Sequence, residues 1–569
     1  MLHVTLFVEF LRSRPQFTVW AMALLQALLW TLVPTFFYGA PPGRLPEAIV
    51  VGHEFQLGSY LGPPLAYWLA AAAFTFGKFG IYLLSQACVV VTYWAVFQLG
   101  SAIVGPRHAA IAVLLMGGIF AFTAPTPEFG PAVLAMALWA LALLHYWRAA
   151  EQRVFAYWFA LGLDLGALLL TSYAAVVLVG LLLVFMLITE RGRAKFTEVG
   201  PWIAGVIIVL MIFPLLIWID HPRGAALAPT AMMIDVNPVS GLRLLGLLLA
   251  AHAGLAILVA LGFGLPAPRR DPLPTVDRAP ADPAAKMFVY FFALAPAAAM
   301  GLFAMLIGGT APIPIAPLAV LSGLAVIAIA PDSLRLVHQR LAGFAWAALV
   351  VLPPLLAIAA VTVLPWIYRL NFDLTIGQPA GEMGRFFGES FQRRTGKPLA
   401  IVAGDEQTAA LVALTAPSRP SLYLDATPER TPWVTRQDIE NKGAVVVWPT
   451  TDTAGAPPAA IRARFPDLVP DVPRSFPRMV QGFLPLTRIG WGVIRPRGAV
   501  PEAPPQVQPP PAPPPPVQPL SQPPAQPQSQ PAPPQPPPQV QQQTPPRPQQ
   551  QPRQQRRQQP LPRSNIDQW

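Results

Sequence analysis

Residues 46–69, PEAIVVGHEFQLGSYLGPPLAYWL, lie between two strongly apolar stretches of the chain. They carry two glutamates and a histidine, although charged residues make up only 12% of the sequence. A Pro63-Pro64 pair then opens an aromatic, apolar run that reaches residue 76. This run is too short to cross a bilayer, and its prolines and aromatic residues favour a helix lying at the membrane interface. The stretch therefore predicts a polar loop on a membrane surface.

The composition is typical of a protein that crosses a membrane many times. Of its 569 residues, 54% are hydrophobic, and the mean hydropathy of +0.47 is unusual for a soluble globular protein. The formal charge of +11 is scattered through short loops and a late tail rather than gathered on one face, so we expect no nucleic-acid partner. Cys88 is the only cysteine, which excludes an intramolecular disulfide.

Eleven apolar stretches predict membrane-spanning helices, each of which needs about 20 residues. They lie near residues 15–38, 79–100, 108–124, 131–147, 154–171, 173–189, 201–219, 241–265, 287–308, 313–330 and 341–365. Lysine and arginine are concentrated in alternate loops, so the positive-inside rule places the N-terminus in the cytoplasm. An odd number of spans places everything after Trp366 outside. We expect no cleavable signal, because the first apolar run is long enough to remain as a span.

The chain changes character near residue 371. PLAIVAGD, PSLYLD, GAVVVW and RIGWGVIRP predict short strands, and EQTAALVALTA and PPAAIRARF predict helices between them. This alternation indicates a small α/β domain with a largely parallel sheet. Gly404-Asp405 follows the first of these strands; it is interpreted as a turn and a helix cap, with a ligand loop as the alternative.

Proline and glutamine dominate residues 498–569, which predicts a disordered tail that is partly polyproline II. The predicted plan has three parts. A polytopic α-helical membrane domain covers residues 1–370, the extracytoplasmic α/β domain covers 371–497, and the tail follows.

The richest group of polar side chains on the predicted outer face lies in the first external loop, residues 39–62. Glu128 and the segment IDHPRG, which contains Asp220, His221 and Arg223, fall on the same face. Polar loops at membrane ends are often only solvated, and that interpretation stays open. The convergence on one face favours a site at the outer interface.

Asp164 lies inside an apolar span, where a carboxylate is costly unless it is paired, neutral or in a wet cavity. Two interpretations of Asp164 stay open: it is a proton site of a secondary transporter, or it makes a structural hydrogen bond. The sequence contains no Walker-type glycine loop, no HExxH motif and no Cys/His cluster. ATP-driven transport and a structural zinc site are therefore not indicated.

The order of these features resembles the GT-C superfamily of membrane glycosyltransferases. It is most similar to the bacterial branch that includes lipid A aminoarabinose transferase, the rhizobial galacturonosyltransferases and the protein mannosyltransferase-like family, of glycosyltransferase family 39 type. The resemblance rests on the acidic first outer loop, followed by PPLAYWLA and the next span. TPEFGPAVLAMALWALAL and LGLDLGALLLTSYAAVVL follow in the expected order and spacing. It covers roughly residues 10–365.

The resemblance implies a polyprenyl-phosphate sugar donor, and a glycolipid or polysaccharide acceptor, such as lipopolysaccharide, at the periplasmic face of the bacterial inner membrane. It also implies inverting transfer helped by an acidic residue of the first loop. Glu47 matches that residue, Glu128 matches an acidic residue after the third span, and Pro63-Pro64 match the start of the interfacial helix. A carboxylate at this place can deprotonate an acceptor hydroxyl or hold a divalent cation, so a cation is a further candidate.

Proximity adds Glu54 to the candidate catalytic residues. The candidates for substrate binding are Arg44, His53, Tyr60, Pro63, Pro64, His221 and Arg223. Arginine suits this role because its guanidinium group binds oxyanions in a forked geometry.

Three departures from the family pattern keep an alternative open. An aspartate usually accompanies the first-loop glutamate, a charged residue or histidine often precedes the proline pair, and a Thr-Lys pair begins the sixth span. The corresponding residues here are Arg44, Leu45 and Pro46, then Leu61-Gly62, then Thr171-Ser172. The alternative is a non-catalytic protein that binds lipid-linked glycans or assembles envelope components.

Overall fold

A computed structural model gives the fold. It describes residues 13–227, 237–264, 275–306, 314–335, 338–367, 374–424, 428–451, 454–466 and 468–497. These residues belong to one compact unit, Met1–Glu502. The predicted tail, residues 498–569, lies outside the described residues.

Six described helices are long and apolar enough to cross a membrane. They are Pro15–Phe37, Gly77–Val104, Pro131–Ala150, Val199–Asp220, Pro283–Leu306 and Gln339–Thr362. A seventh candidate consists of Pro238–Ala251 and Ala253–Gly264, which meet at a bend of 45°. Each of these helices begins and ends within a few residues of a predicted span, because long apolar runs specify membrane helices strongly.

The remaining apolar helices are shorter. They are Leu65–Phe74, Pro106–Met116, Ala156–Leu169, Ala175–Ile188 and Ile315–Ile329. The first is the helix predicted at the interface, and the other four lie where spans were predicted. None of the four reaches the roughly 20 residues that a straight crossing needs, so the predicted number of eleven spans is not confirmed.

Short elements join the helices of this apolar region. Glu190–Lys195 and Pro222–Leu227 are single-turn or two-turn helices. Strand β1, Thr275–Asp277, pairs antiparallel with β2, Ser333–Arg335. Arg278 fixes this small sheet to the helices, because its buried guanidinium group donates to Asp332 and to two backbone carbonyls.

The C-terminal part contains a five-stranded mixed sheet. Its strands are β3, Ile401–Gly404; β4, Ser421–Leu424; β5, Ala444–Pro449; β6, Val469–Phe476; and β7, Thr487–Ile494. The order is β4-β3-β5-β7-β6. Strand β3 is parallel to β4 and β5, whereas β7 is antiparallel to β5 and β6.

The prediction of a largely parallel sheet is therefore wrong, since half of the pairings are antiparallel. Strand β6, which carries Pro470 and Pro473, was not predicted. Proline cannot donate a ladder hydrogen bond, so such a segment does not resemble a strand. The sheet accommodates both prolines because β6 is an edge strand whose register is irregular between Asp471 and Arg474.

Four helices accompany the sheet: Ala380–Thr395, Glu406–Thr415, Arg436–Lys442 and Ala459–Arg464. Asp405 caps the second, and its carboxylate accepts from the Thr408 backbone N–H at 3.1 Å. Gly404 has a φ of +126°, and a Cβ there would lie 1.9 Å from the Val447 carbonyl oxygen. The predicted turn and helix cap are confirmed, and the close approach of two strands explains the glycine.

The sheet region packs directly on the first external loop. Helix Glu406–Thr415 contacts helix Leu45–His53 of that loop, which also contacts β4. Backbone N–H groups of Gly39 and Ala40 both donate to the Ile376 carbonyl. The loop is thus held between the membrane helices and the sheet region. The boundaries predicted at residues 370 and 371 stay predictions.

Candidate functional site

The first external loop contains one helix, which is held close to the helix that follows the loop. The helix Leu45–His53, here called the loop helix, begins after Arg44. Pro46 lies in its first turn, where the backbone N–H that proline lacks would have no partner within the helix. Pro64 precedes the interfacial helix Leu65–Phe74. A Cβ at Gly52 would lie 2.0 Å from the Tyr67 carbonyl oxygen, so the two helices are in backbone contact.

Glu47 is the buried acid at the centre of the site. Only 4% of the residue is exposed. Its carboxylate accepts from Arg44 Nε at 2.9 Å and Nη2 at 3.3 Å, and from the Tyr60 hydroxyl. Arg44 and Tyr60 flank the loop helix in sequence, which is why one short loop supplies all three groups.

Glu128 approaches the same place from the segment before helix Pro131–Ala150. Its Oε1 accepts from the Arg44 backbone N–H at 2.8 Å. Gly43 permits this contact, because it has a φ of +53° and a Cβ there would lie 2.2 Å from the Glu128 carboxyl carbon. Glu128 therefore sits at the N-terminal end of the loop helix, where a negative charge is favourable.

The sheet region contributes two further residues. Glu406, the first residue of its helix, accepts from Arg44 Nη2 at 2.9 Å. The guanidinium carbon of Arg430 lies 5.5 Å from the centre of the Tyr60 ring. One arginine thus bridges an acid of the loop and an acid of the sheet region.

Burial raises the pKa of Glu47 to about 7. The hydrogen bonds from Arg44 and Tyr60 oppose this rise, whereas the contact with Glu406 adds to it. The cause is physical: a charged carboxylate loses its hydration inside the protein, and its positive partner is shared with a second acid. Such a group can accept a proton near neutral pH.

Two further predicted site residues, His53 and Glu54, lie apart from Glu47. His53 and Glu54 are at the opposite end of the loop helix, about 10 Å further along its axis. Burial raises the pKa of Glu54, and its interaction with Ser421 opposes this rise. Burial and the charge of Arg419 lower the pKa of His53. Both residues face the sheet region.

His221 and Arg223 lie after helix Val199–Asp220. His221 is exposed, and the side chain of Arg223 is outside the described part of the structure. Trp218, at the end of the same helix, lies against Gly58 of the loop, where a Cβ would be 2.5 Å from its ring. These two residues and Gln56, Leu227, Pro432 and Trp433 line a cavity of about 210 Å³. The loop, this helix end and the sheet region therefore meet at one cavity.

The structure brings together Arg44, Glu47, Tyr60 and Glu128, and Pro63-Pro64 lead into the interfacial helix. Sequence reasoning missed Glu406 and Arg430. Glu406 directly follows the Gly404-Asp405 turn. It was not predicted as a site residue because that turn was interpreted as a helix cap. Among the described residues, no group of three His, Cys, Asp or Glu is arranged to hold a metal ion. The divalent cation stays a prediction.

The family model described as dolichyl-phosphate-mannose-protein mannosyltransferase matches residues 62–218. Together with several apolar helices and a small sheet region, this match confirms the resemblance to the GT-C membrane glycosyltransferases. The fold is that of ArnT. The chain is 13% identical to ArnT from Cupriavidus metallidurans bound to undecaprenyl phosphate, with a TM-score of 0.52 over 84% of this chain and 97% of that one.

The apo state of the same ArnT is 12% identical, with the same TM-score and coverage. A search of curated protein sequences gives no match. The structural likeness at this identity shows the fold alone.

Proposed function

We propose that the protein is a membrane glycosyltransferase that transfers a sugar from a polyprenyl-phosphate donor. The acceptor is a glycolipid or polysaccharide of the bacterial envelope at the periplasmic face of the inner membrane. The GT-C fold supports this proposal, and the solved ArnT relative holds undecaprenyl phosphate. The observation that carries it is a buried Glu47 with a pKa of about 7 in an outer loop between membrane helices.

Glu47 is the general base of the proposed reaction. Its carboxylate takes the proton of an acceptor hydroxyl as the hydroxyl oxygen attacks the anomeric carbon of the donor sugar. The bond from that carbon to the phosphate oxygen breaks, and polyprenyl phosphate leaves with the electron pair. A single displacement of this kind inverts the configuration at the anomeric carbon. A base with a pKa near the working pH suits the proton transfer.

Arg44 is the phosphate-binding residue of the proposed reaction. A guanidinium group can pair with two oxyanion oxygens and neutralise the charge that develops on a leaving phosphate. Its side chain is half exposed, so a lipid phosphate can reach it. Glu128 holds the backbone of Arg44, and Tyr60 holds the Glu47 carboxylate; these two are positioning residues.

The cavity beside Gly58 is the proposed place for the acceptor. It adjoins the loop that carries Glu47, and both the membrane helices and the sheet region line it. His53 and Glu54, which face the sheet region, would contact an acceptor rather than the donor phosphate.

The second candidate is a non-catalytic protein that binds lipid-linked glycans. One observation favours it: Arg44 is already bound to Glu47 and Glu406, which leaves fewer of its donors for a phosphate. Lipid binding without turnover would distinguish this candidate.

Mass spectrometry of envelope glycolipids and polysaccharides tests the proposal. A deletion strain is compared with strains restored with the native protein, Glu47→Gln, or Glu389→Gln, an exposed control in helix Ala380–Thr395. We expect one sugar to be missing from the deletion and Glu47→Gln strains and present in the other two. Full rescue by Glu47→Gln, or no glycan difference between strains, would reject the transferase and favour the binding protein.

A further inference from the structure

A second polar pocket lies at the far end of the membrane helices. It has a volume of about 450 Å³ and is lined by the ends of three helices, including Gln98, Ser101, Trp147, Arg148, Gln152 and Tyr157. The first two belong to helix Gly77–Val104, and Trp147 and Arg148 are in the last turn of Pro131–Ala150. Tyr157 is at the start of Ala156–Leu169.

This pocket is separate from the site around Glu47. Helix Pro131–Ala150 begins three residues after Glu128, which contacts Arg44. Arg148 is seventeen positions after Pro131 in this helix, and a rise of 1.5 Å per residue puts them about 25 Å apart. That distance approaches the thickness of a bilayer core. The pocket therefore belongs to the opposite membrane surface.

Arg148 brings an uncompensated positive charge to the pocket. Its Nη1 donates to the Tyr157 hydroxyl at 3.2 Å, and its Nη2 lies 3.5 Å from Gln98 Oε1. Its guanidinium carbon is 5.2 Å from the centre of the Tyr157 ring. Within the described ranges Arg148 has no carboxylate partner, and Glu151, the nearest acid in sequence, is paired with Arg191 at 2.9 Å.

Ser101 adds a buried hydroxyl group to the same lining. Its Oγ has no hydrogen-bond partner among the described residues. Leaving such a buried hydroxyl group unpaired is unfavourable. A ligand with acceptor oxygens would satisfy it. None of the described residues that line the pocket is acidic, whereas its arginine, glutamine and serine side chains can all donate hydrogen bonds, so this lining suits an anion.

The surroundings indicate that the anion is the headgroup of a lipid. Trp147 and Leu144 form an apolar wall beside Arg148. Tryptophan and arginine at a helix end are typical of the membrane–water interface. Basic pockets between membrane helices bind the phosphate of anionic lipids. We propose that this pocket binds the phosphate headgroup of an anionic membrane lipid at the surface opposite Glu47.

Thermal unfolding of the purified full-length protein in a neutral detergent tests the proposal. The added probes are short-chain phosphatidylglycerol, phosphatidylcholine with the same chains, and inorganic phosphate. We expect phosphatidylglycerol to raise Tm for the native protein and for Arg340→Gln, an exposed control. We expect Arg148→Gln to lose most of this rise. Phosphatidylcholine and inorganic phosphate should have little effect on any of them.

Three outcomes would overturn the proposal. An equal response of Arg148→Gln and the native protein would show that the lipid binds elsewhere. An equal effect of inorganic phosphate would identify a site for soluble anions instead. An equal effect of phosphatidylcholine would indicate a response to the apolar chains alone.

A second variant covers the case in which Arg148→Gln does not fold. Ser101→Phe fills the pocket and keeps the charge of Arg148, so it should also lose the response to phosphatidylglycerol. Glu47→Gln should keep that response, because Arg148 lies about 25 Å along helix Pro131–Ala150 from the helix end that is close to Glu128. The lipid test is thus independent of the proposed transferase activity.

Discussion

Arg44 and Glu406 are 362 residues apart in the chain, and their side chains form an ion pair of 2.9 Å. The same guanidinium group also binds Glu47. The membrane part and the sheet region therefore share one charge at the centre of the candidate site. Both side chains of the pair are partly exposed, and such ion pairs contribute less than about 1 kcal/mol to stability. The Arg44–Glu406 ion pair therefore matters more for the chemistry of the candidate site than for the stability of the fold.

Replacing Glu406 with Gln should move the pH dependence of transfer to lower pH. The contact with Glu406 raises the pKa of Glu47, whereas an amide at residue 406 can donate to the carboxylate and favours its charged form. The measurement is a pH–rate profile of the variant beside native protein and the control Glu389→Gln. An unchanged midpoint in Glu406→Gln would disprove this coupling.

The native protein should lose activity below neutral pH. Glu47 acts as a base only when ionised, and its pKa is about 7, so transfer should rise with pH to a plateau above that value. Glu47→Gln should reduce the rate by about 100-fold or more and abolish this acid limb. A native midpoint near pH 4, the value for an ordinary glutamate, would contradict the assignment.

The same carboxyl group makes stability depend on pH. Its pKa is higher in the folded protein than its ordinary value of 4.5, so its contribution to stability is complete below that value and is lost as the pH rises through about 7. Glu47→Gln cannot titrate. The Tm of the native protein should therefore fall relative to that of Glu47→Gln between pH 5 and pH 8. Parallel curves would argue against the raised pKa.

Gly43→Ala should disrupt the site through Glu128. A Cβ at Gly43 would overlap the Glu128 carboxylate, and the left-handed backbone adds about 1–2 kcal/mol. Gly77→Ala is a matched control, because Gly77 also has a positive φ and its Cβ would meet nothing within 4 Å. Both variants should lower Tm, but only Gly43→Ala should lose transfer activity strongly. Equal activities would show that the Glu128 contact is dispensable.

Asp164→Asn should leave transfer close to native. Asp164 pairs with His145 at 2.5 Å, and an asparagine can keep one hydrogen bond there. His145 lies about 21 Å along its helix from Pro131, far from Glu47. Uptake measurements in vesicles test the transporter interpretation. Proton-coupled uptake by the native protein that is lost in Asp164→Asn would support that interpretation.

The apolar helices were largely predictable because hydropathy is a local property of the chain. The prediction of a span at residues 15–38 corresponds to helix Pro15–Phe37. Breaks inside apolar runs were not predictable. The helix that begins at Pro106 ends at Met116, and at Gly118 a Cβ would lie 2.9 Å from Gly254 of another helix. Packing between distant segments decides such breaks.

The candidate site likewise contains residues that could be predicted from the sequence and a residue that could not. Arg44, Glu47 and Tyr60 are close in sequence, so their meeting follows from the fold of one loop. Glu128 was predicted from its position on the same predicted face as the loop and from the resemblance to a known family. Glu406 could not be predicted, because nothing in a single sequence shows which surface of the sheet region packs on the loop.

The two edges of that sheet have a consequence for the protein at high density in a membrane. Strand β4 at one edge is in contact with the loop helix, and β6 at the other carries Pro470 and Pro473. An uncovered strand edge invites pairing with a neighbouring chain. The loop helix contacts one edge strand here and proline interrupts the other, so both edges are less available for pairing between crowded copies.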